Sequence, residues 1–126
     1  MGFWPRITRL QELKKGKNYM FIANHLSMID IMLVFMAIRN PFLFVGKQEL
    51  EKIPIFNFIY RRAAILVNRK SAKSRKNVYS NAKRKLDMGY SICIYPEGLV
   101  PHPDVYLAPF KNGAFSLAIQ YQMPIV

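Results

Sequence analysis

The chain has a single cysteine, Cys93, in 126 residues. No intrachain disulfide can form, which points to a reducing compartment, and within the apolar run Ser91-Ile92-Cys93-Ile94 the thiol reads as core rather than nucleophile. Histidine is nearly as scarce. His25 and His102 are the only two, and with no paired cysteines they leave no recognisable metal cluster. His102, between Pro101 and Pro103, reads as a loop residue. Long hydrophobic runs are missing as well: the longest, Ile31 to Ile38, is eight residues, short of the ~18 that a membrane-spanning helix needs. No signal-peptide pattern opens the chain, and no internal repeat, low-complexity stretch or linker divides it.

Acids are few beside what opposes them. Seven Asp and Glu face nineteen Lys and Arg, a formal net charge of +12, and ten of the bases lie between Arg61 and Lys85 with no acid among them. A field of that sign calls for an anionic partner. Nucleic acid is one candidate, but Phe35, Phe42, Phe44, Phe56, Phe58 and Phe115 fall in apolar runs instead of alternating with the bases as a stacking platform requires. An anionic membrane surface suits the chain better, since each nearby Lys or Arg adds about 1 kcal/mol of attraction. Part of the basic block is a solvated helix face in either case. At the amino end, Phe3, Trp4, Ile7 and Leu10 alternate with Arg6, Arg9, Lys14 and Lys15, as an interfacial anchor would.

What is present is enough apolar material for one buried core, 52% of the residues, in a chain of single-domain length. The patterning predicts strands over 19–23, 42–45, 64–67, 91–95 and 124–126, and helices over 28–39, 48–60, 72–88 and 112–121. Pro54 should break the second helix into two pieces. The helix over 72–88 is the best marked, with Ser71 as cap, Val78, Ala82 and Leu86 on one stripe, and Gly89 as stop. Strands alternating with helices give an α/β fold, a mostly parallel or mixed sheet of about five strands with helices on both faces and ligands at the carboxyl ends of the strands.

Two of those strand ends carry chemistry. The run Tyr19–Ala23 delivers Asn24-His25-Leu26-Ser27-Met28-Ile29-Asp30, a histidine and a carboxylate five positions apart. A histidine can take a proton from an alcohol at neutral pH, and a carboxylate on its other nitrogen fixes the tautomer and stabilises the imidazolium. Ser27-x-x-Asp30 ahead of an apolar run reads equally as a helix capping box, with Asp30 no more than a cap. The second end is Tyr95-Pro96-Glu97-Gly98, a turn with one acid, which taken alone is a solvated turn residue. Further on, Lys111 precedes a helix start, where a cation beside free backbone N–H groups makes an anion site or is simply a surface lysine.

In this order the residues resemble the 1-acylglycerol-3-phosphate acyltransferase family, which carries Asn-His-x-x-x-x-Asp, Gly-x-x-Phe-Ile-x-Arg, Phe-Pro-Glu-Gly-Thr-Arg and a short Val/Ile-Pro strand. The first motif is complete at Asn24, His25 and Asp30. The second survives as Ala63 to Arg69, with Ala63 for the glycine. The third begins as Tyr95-Pro96-Glu97-Gly98 and departs at Leu99-Val100, where the family has Thr-Arg. The fourth is touched at Met123-Pro124-Ile125-Val126. The resemblance covers roughly residues 18 to 126 and implies transfer of an acyl group from a thioester to the hydroxyl of a lysophosphatidate-like acceptor, giving phosphatidate. It implies His25 as general base and Asp30 as the group that orients it, with no covalent enzyme intermediate. Asn24, Glu97 and Gly98 would then position the acceptor, and Arg69 and Lys111 would take its phosphate in place of the missing arginine. No cofactor is expected beyond an acyl-CoA or acyl-carrier-protein co-substrate. Expected partners are the acceptor, the donor and an anionic membrane surface, at the cytoplasmic face of the inner membrane, with no nucleic acid. Family members often carry an amino-terminal membrane helix, so the chain is expected to be a single acyltransferase domain incomplete at both ends, with residues 1–17 an interfacial segment and 18–126 the catalytic core. A catalytically weak or inactive anionic-lipid-binding module is the alternative, favoured by Leu99-Val100 and the missing remainder of the fourth motif, and a basic nucleic-acid-binding domain, favoured only by charge, is the lesser one.

Overall fold

In a computed structural model, residues 4–47, 57, 63–68 and 70–126 are described. Strand β1 (Met20–Ile22) is followed by helix α1 (Asp30–Ala37), β2 (Phe42–Lys47), β3 (Ala64–Val67), α2 (Ala72–Asp87), β4 (Ser91–Ile94) and α3 (Gly113–Gln120). The strands form one four-stranded sheet in the order β1-β4-β2-β3, and every pairing is parallel. Of the expected helix over 48–60 only Asn57 is described; Arg69 and the break at Pro54 lie outside the described residues.

Alternation along each strand splits the core in two. Met20, Leu43, Ile65, Val67 and Ile92 point to one face, where Val78, Ala82 and Leu86 of α2 and Ala114, Leu117 and Ala118 of α3 cover them. Phe21, Phe42, Phe44 and Cys93 point to the other, where Ile31, Val34 and Phe35 of α1 cover them. Both faces are therefore apolar, which is why the strands read as continuous hydrophobic runs. Met20 and Ile92 are fully buried, and burial of a side chain of that size contributes roughly 1.5–3 kcal/mol. Burial also pushes the Cys93 thiol up to about 12, so it is a packing residue and not a nucleophile.

Four strands replace the five expected. The segment 124–126 does run parallel to β1, through Met20 N–H to the Pro124 carbonyl and a reciprocal pair between Ile22, Val126 and Met20, but only Met20 and Ile125 meet as a bridge. A stretch this short pairs one residue and makes no ladder. Helix α1 is also shorter than the 28–39 expected, because residues 26–29 are drawn into a turn by the Asp30 carboxylate. Helix α2 follows its sequence signals closely. Ser74 N–H donates to the Ser71 hydroxyl at 3.2 Å, and Gly89 ends the helix at φ +88°, a backbone that residues with a Cβ rarely adopt. Its outward side carries Lys73, Arg75, Lys76, Lys83 and Arg84, all exposed.

Candidate active site

Parallel register decides the site. Met20 pairs with Ile92 and Ile22 with Ile94, so β1 and β4 finish level and the chain leaves both ends side by side. His25 and Glu97 each lie three residues past these last paired positions. They meet: the backbone N–H of His25 donates to Glu97 Oε1 at 2.7 Å, and the other carboxylate oxygen, Oε2, takes the Ala108 N–H at 2.8 Å. Glu97 is 2% exposed. A buried carboxylate with two backbone donors is well satisfied, and here it ties the loop after β1 to the loop that returns towards α3. A second bond, from Lys111 N–H to the Pro96 carbonyl at 2.8 Å, fastens that return. Gly98 closes the turn at φ +80° with its N–H on the Tyr95 carbonyl at 3.0 Å.

The His25 ring is 3.2 Å from Asp30 through Nδ1 and Oδ2. The same oxygen accepts the N–H groups of Leu26 at 2.7 Å and Ser27 at 2.8 Å. Burial by itself would raise the Asp30 carboxyl. The Ser27 and Leu26 donors and the His25 ring outweigh it and hold the group below the usual carboxylate range. With the carboxylate as acceptor of Nδ1–H, the neutral ring presents the lone pair of Nε2, as a general base requires.

The capping-box reading holds by half. Asp30 does reach back to the Ser27 N–H, but the Ser27 hydroxyl meets Ile29 N–H at 3.4 Å, and the N-cap of α1 is Ile29 with no side-chain cap. One carboxylate fixes both the turn and the histidine. A further contact had no expectation attached to it: the Tyr95 ring stacks on the His25 ring with centroids 4.1 Å apart and planes 15° apart. The aromatic opening of the third motif was the only available signal.

Asn24 is exposed at the same strand end as His25. On the α2 and α3 side of the sheet lies a groove of about 380 Å³, walled by Val67, Val78, Ile94 and Leu117, whose lining also includes Gly98, Arg75 and Lys111. Lys111 therefore shares a groove with Gly98, and α2 supplies a second cation that looked in sequence like one more base on a solvated face. His102 stands apart, paired with Asp104 at 3.0 Å in an exposed loop. No helix among the described residues is long and apolar enough to cross a membrane.

The chain matches the family described as Acyltransferase over residues 5–126. It is 30% identical over 118 residues to the 1-acyl-sn-glycerol-3-phosphate acyltransferase of Haemophilus influenzae, with 92% of this chain and 49% of that protein covered. Against the human 1-acyl-sn-glycerol-3-phosphate acyltransferase beta it is 29% identical over 118 residues, covering 92% of this chain and 42% of the relative. The crystal structure of the 1-acyl-sn-glycerophosphate acyltransferase PlsC from Thermotoga maritima superimposes with a TM-score of 0.69 at 27% identity, over 89% of this chain and 44% of that one. The chain spans about half the length of the curated relatives it matches. With a level pair of strand ends carrying a histidine–aspartate pair and a clamped glutamate, and a family match that runs from Pro5 to Val126, the chain belongs to the acyltransferase family.

Proposed function

We propose that this chain catalyses transfer of a fatty acyl group from an acyl thioester to the free hydroxyl of 1-acylglycerol-3-phosphate, giving phosphatidate for phospholipid synthesis. The observation that carries the reading is the His25 imidazole, held by Asp30 at Nδ1 and presenting Nε2 as a base. Nε2 takes the hydroxyl proton as the oxygen attacks the acyl carbon. The C–S bond then breaks, and the departing thiolate takes the proton from the imidazolium. A thioester is already activated, so a base worth ~10²–10⁴-fold together with good positioning meets the chemical need. The donor is a coenzyme A or carrier-protein thioester, and no further cofactor takes part. Asn24, Glu97 and Gly98 position the acceptor, Glu97 by fixing the backbone on either side of the cleft. The test is thiol release from acyl-CoA: it should depend on lysophosphatidate and yield phosphatidate. Lipid binding with no acceptor-dependent release would make the chain a binding module instead.

Arg69 and Lys111 are the proposed phosphate contacts, Val100 standing where the family has arginine. Arg69→Ala and Lys111→Ala should each raise the KM for lysophosphatidate roughly tenfold, the weight of a charge-assisted bond of about 1.5 kcal/mol in a cleft open to solvent. Neither should matter for an acceptor without phosphate. Normal acylation of lysophosphatidate by both variants would point to a different lipid alcohol.

The same reading places the chain on an anionic membrane, at the cytoplasmic face of the inner membrane. Three features support it: the net charge of +12, the exposure of Trp4 and Leu10 at the amino end, and that of Met32 and Met36, one turn apart on α1. Binding to phosphatidylglycerol vesicles should weaken steeply with salt, because exposed charges are screened within ~10 Å at 0.1 M. Replacing Lys83, Arg84 and Lys85 by glutamine should weaken it further. Lys83 is the least useful of the three to a membrane, since Asp87 already pairs with it at 2.9 Å. Equal, salt-insensitive binding to neutral vesicles would show that the apolar amino-terminal segment dominates.

A further inference from the structure

We infer that Tyr95 is a positioning residue for the base: its ring fixes the plane of the His25 imidazole. Among the described residues three contacts hold His25, and each removes a different freedom. Glu97 anchors its backbone N–H. Asp30 holds one ring atom, Nδ1, at 3.2 Å. A single hydrogen bond of that length leaves the ring free to tip about the axis through its bonded edge, and tipping swings Nε2 away from the hydroxyl it must reach. A parallel ring 4.1 Å off blocks that motion, because any tilt drives one edge of the imidazole into the aromatic face.

Tyr95 can do this because it is itself held. It directly follows β4, and its ring lies within 11° of parallel to Phe44, at 5.8 Å. Phe44 in turn packs edge-on against Phe35 and Phe42, each at 5.2 Å. The orientation of the base is thus passed down from the aromatic core beneath α1. What matters is a flat aromatic face, so phenylalanine should replace tyrosine and leucine should not. An aliphatic side chain fills the space without defining a plane.

The consequence for rate rests on the acyl-transfer reading; the stack does not. The chain has only two histidines, so their ring protons are readily assigned by NMR. In the unsubstituted protein the His25 ring signals should lie upfield of those of His102, shifted by the Tyr95 ring current. Tyr95→Leu should move them back towards His102, and Tyr95→Phe should leave them in place. In the acyl-transfer assay Tyr95→Leu should lower kcat about tenfold to a hundredfold, the cost of a base misplaced by up to ~1 Å, with a smaller change in the KM for the acceptor, whose groove Tyr95 also borders. Tyr95→Phe should restore most of it. Coincident His25 and His102 signals in the unsubstituted protein would overturn the inference even if the leucine variant failed to fold. So would a leucine variant with normal kcat, or a phenylalanine variant as impaired as leucine. Absence of acyl transfer by the unsubstituted protein would remove the proposed function, while the spectra would still decide the stack.

Discussion

His25→Ala is expected to lower turnover by at least ~10² with little change in lipid binding, because it deletes a base and leaves the groove lined by Gly98 and Lys111 intact. The loss should appear in kcat and kcat/KM together, as for an interaction made only while the proton moves. Retained turnover would sink the mechanism. Asp30→Asn should also cost activity, since the amide oxygen can take over the three contacts of Oδ2 but carries no charge to stabilise the imidazolium that forms. Asp30 has a pH signature of its own. Its carboxyl is held below the ordinary range, so its contribution to stability is fully present above the unfolded value near pH ~4 and is lost as pH falls through the lower folded value. The native protein should therefore shed stability on acidification below about pH 4, and the asparagine variant should shed less. Unchanged acid sensitivity, measured by thermal melts across that range, would remove the role assigned to the three donors on Oδ2.

Glu97→Gln is the second large effect, and it should reach stability and rate at once. Each carboxylate oxygen receives one backbone N–H, from His25 and from Ala108. An amide can accept only one of these and turns its own NH₂ on the other, leaving two donors face to face in a buried place. A group so stranded costs about 1–3 kcal/mol, and for a chain of this length each kcal/mol lowers the melting midpoint by roughly 4 °C. The freed end should also let His25 drift, so kcat falls along with the midpoint. A glutamate that met the acceptor directly would behave otherwise: KM would rise and the melting midpoint would hold. Measuring all three quantities on one variant separates the two roles.

The parts of the fold that could be read from the chain are those whose cause is local. Strand β3 (Ala64–Val67) ends where the apolar run Ala63–Val67 does and starts one residue into it, and α2 carries its cap, stripe and stop in adjacent residues. Helix α1 was overextended because its first turn is set by the Asp30 carboxylate, whose bonds to Leu26 and Ser27 compete with helix formation. His25 and Asp30 were legible as a pair for the same reason, being five residues apart in one turn. Glu97 was visible as an acid at a strand end, but its partners were not: that it grips His25 and Ala108 follows from the pairing of β1 with β4, which no local pattern encodes. Arg75 was hidden in another way. Among so many bases on one helix, only the placement of α2 on the same sheet face as α3 shows which of them borders the groove beside Lys111.

The level ending of β1 and β4 also determines where this chain can be lengthened. His25 and Glu97 are 72 positions apart in sequence, and everything between the two strands, including α1, β2, β3 and α2, can vary in connection length without altering how the strand ends meet. The short exits differ. One residue more between Ile22 and His25, or one fewer between Ile94 and Glu97, changes which backbone N–H faces the carboxylate and turns the histidine off Asp30 and Tyr95 together. The site is keyed to a residue count after each strand, so the loops over 38–41 and 88–90 are open to changes of length while the stretches 23–25 and 95–97 are not.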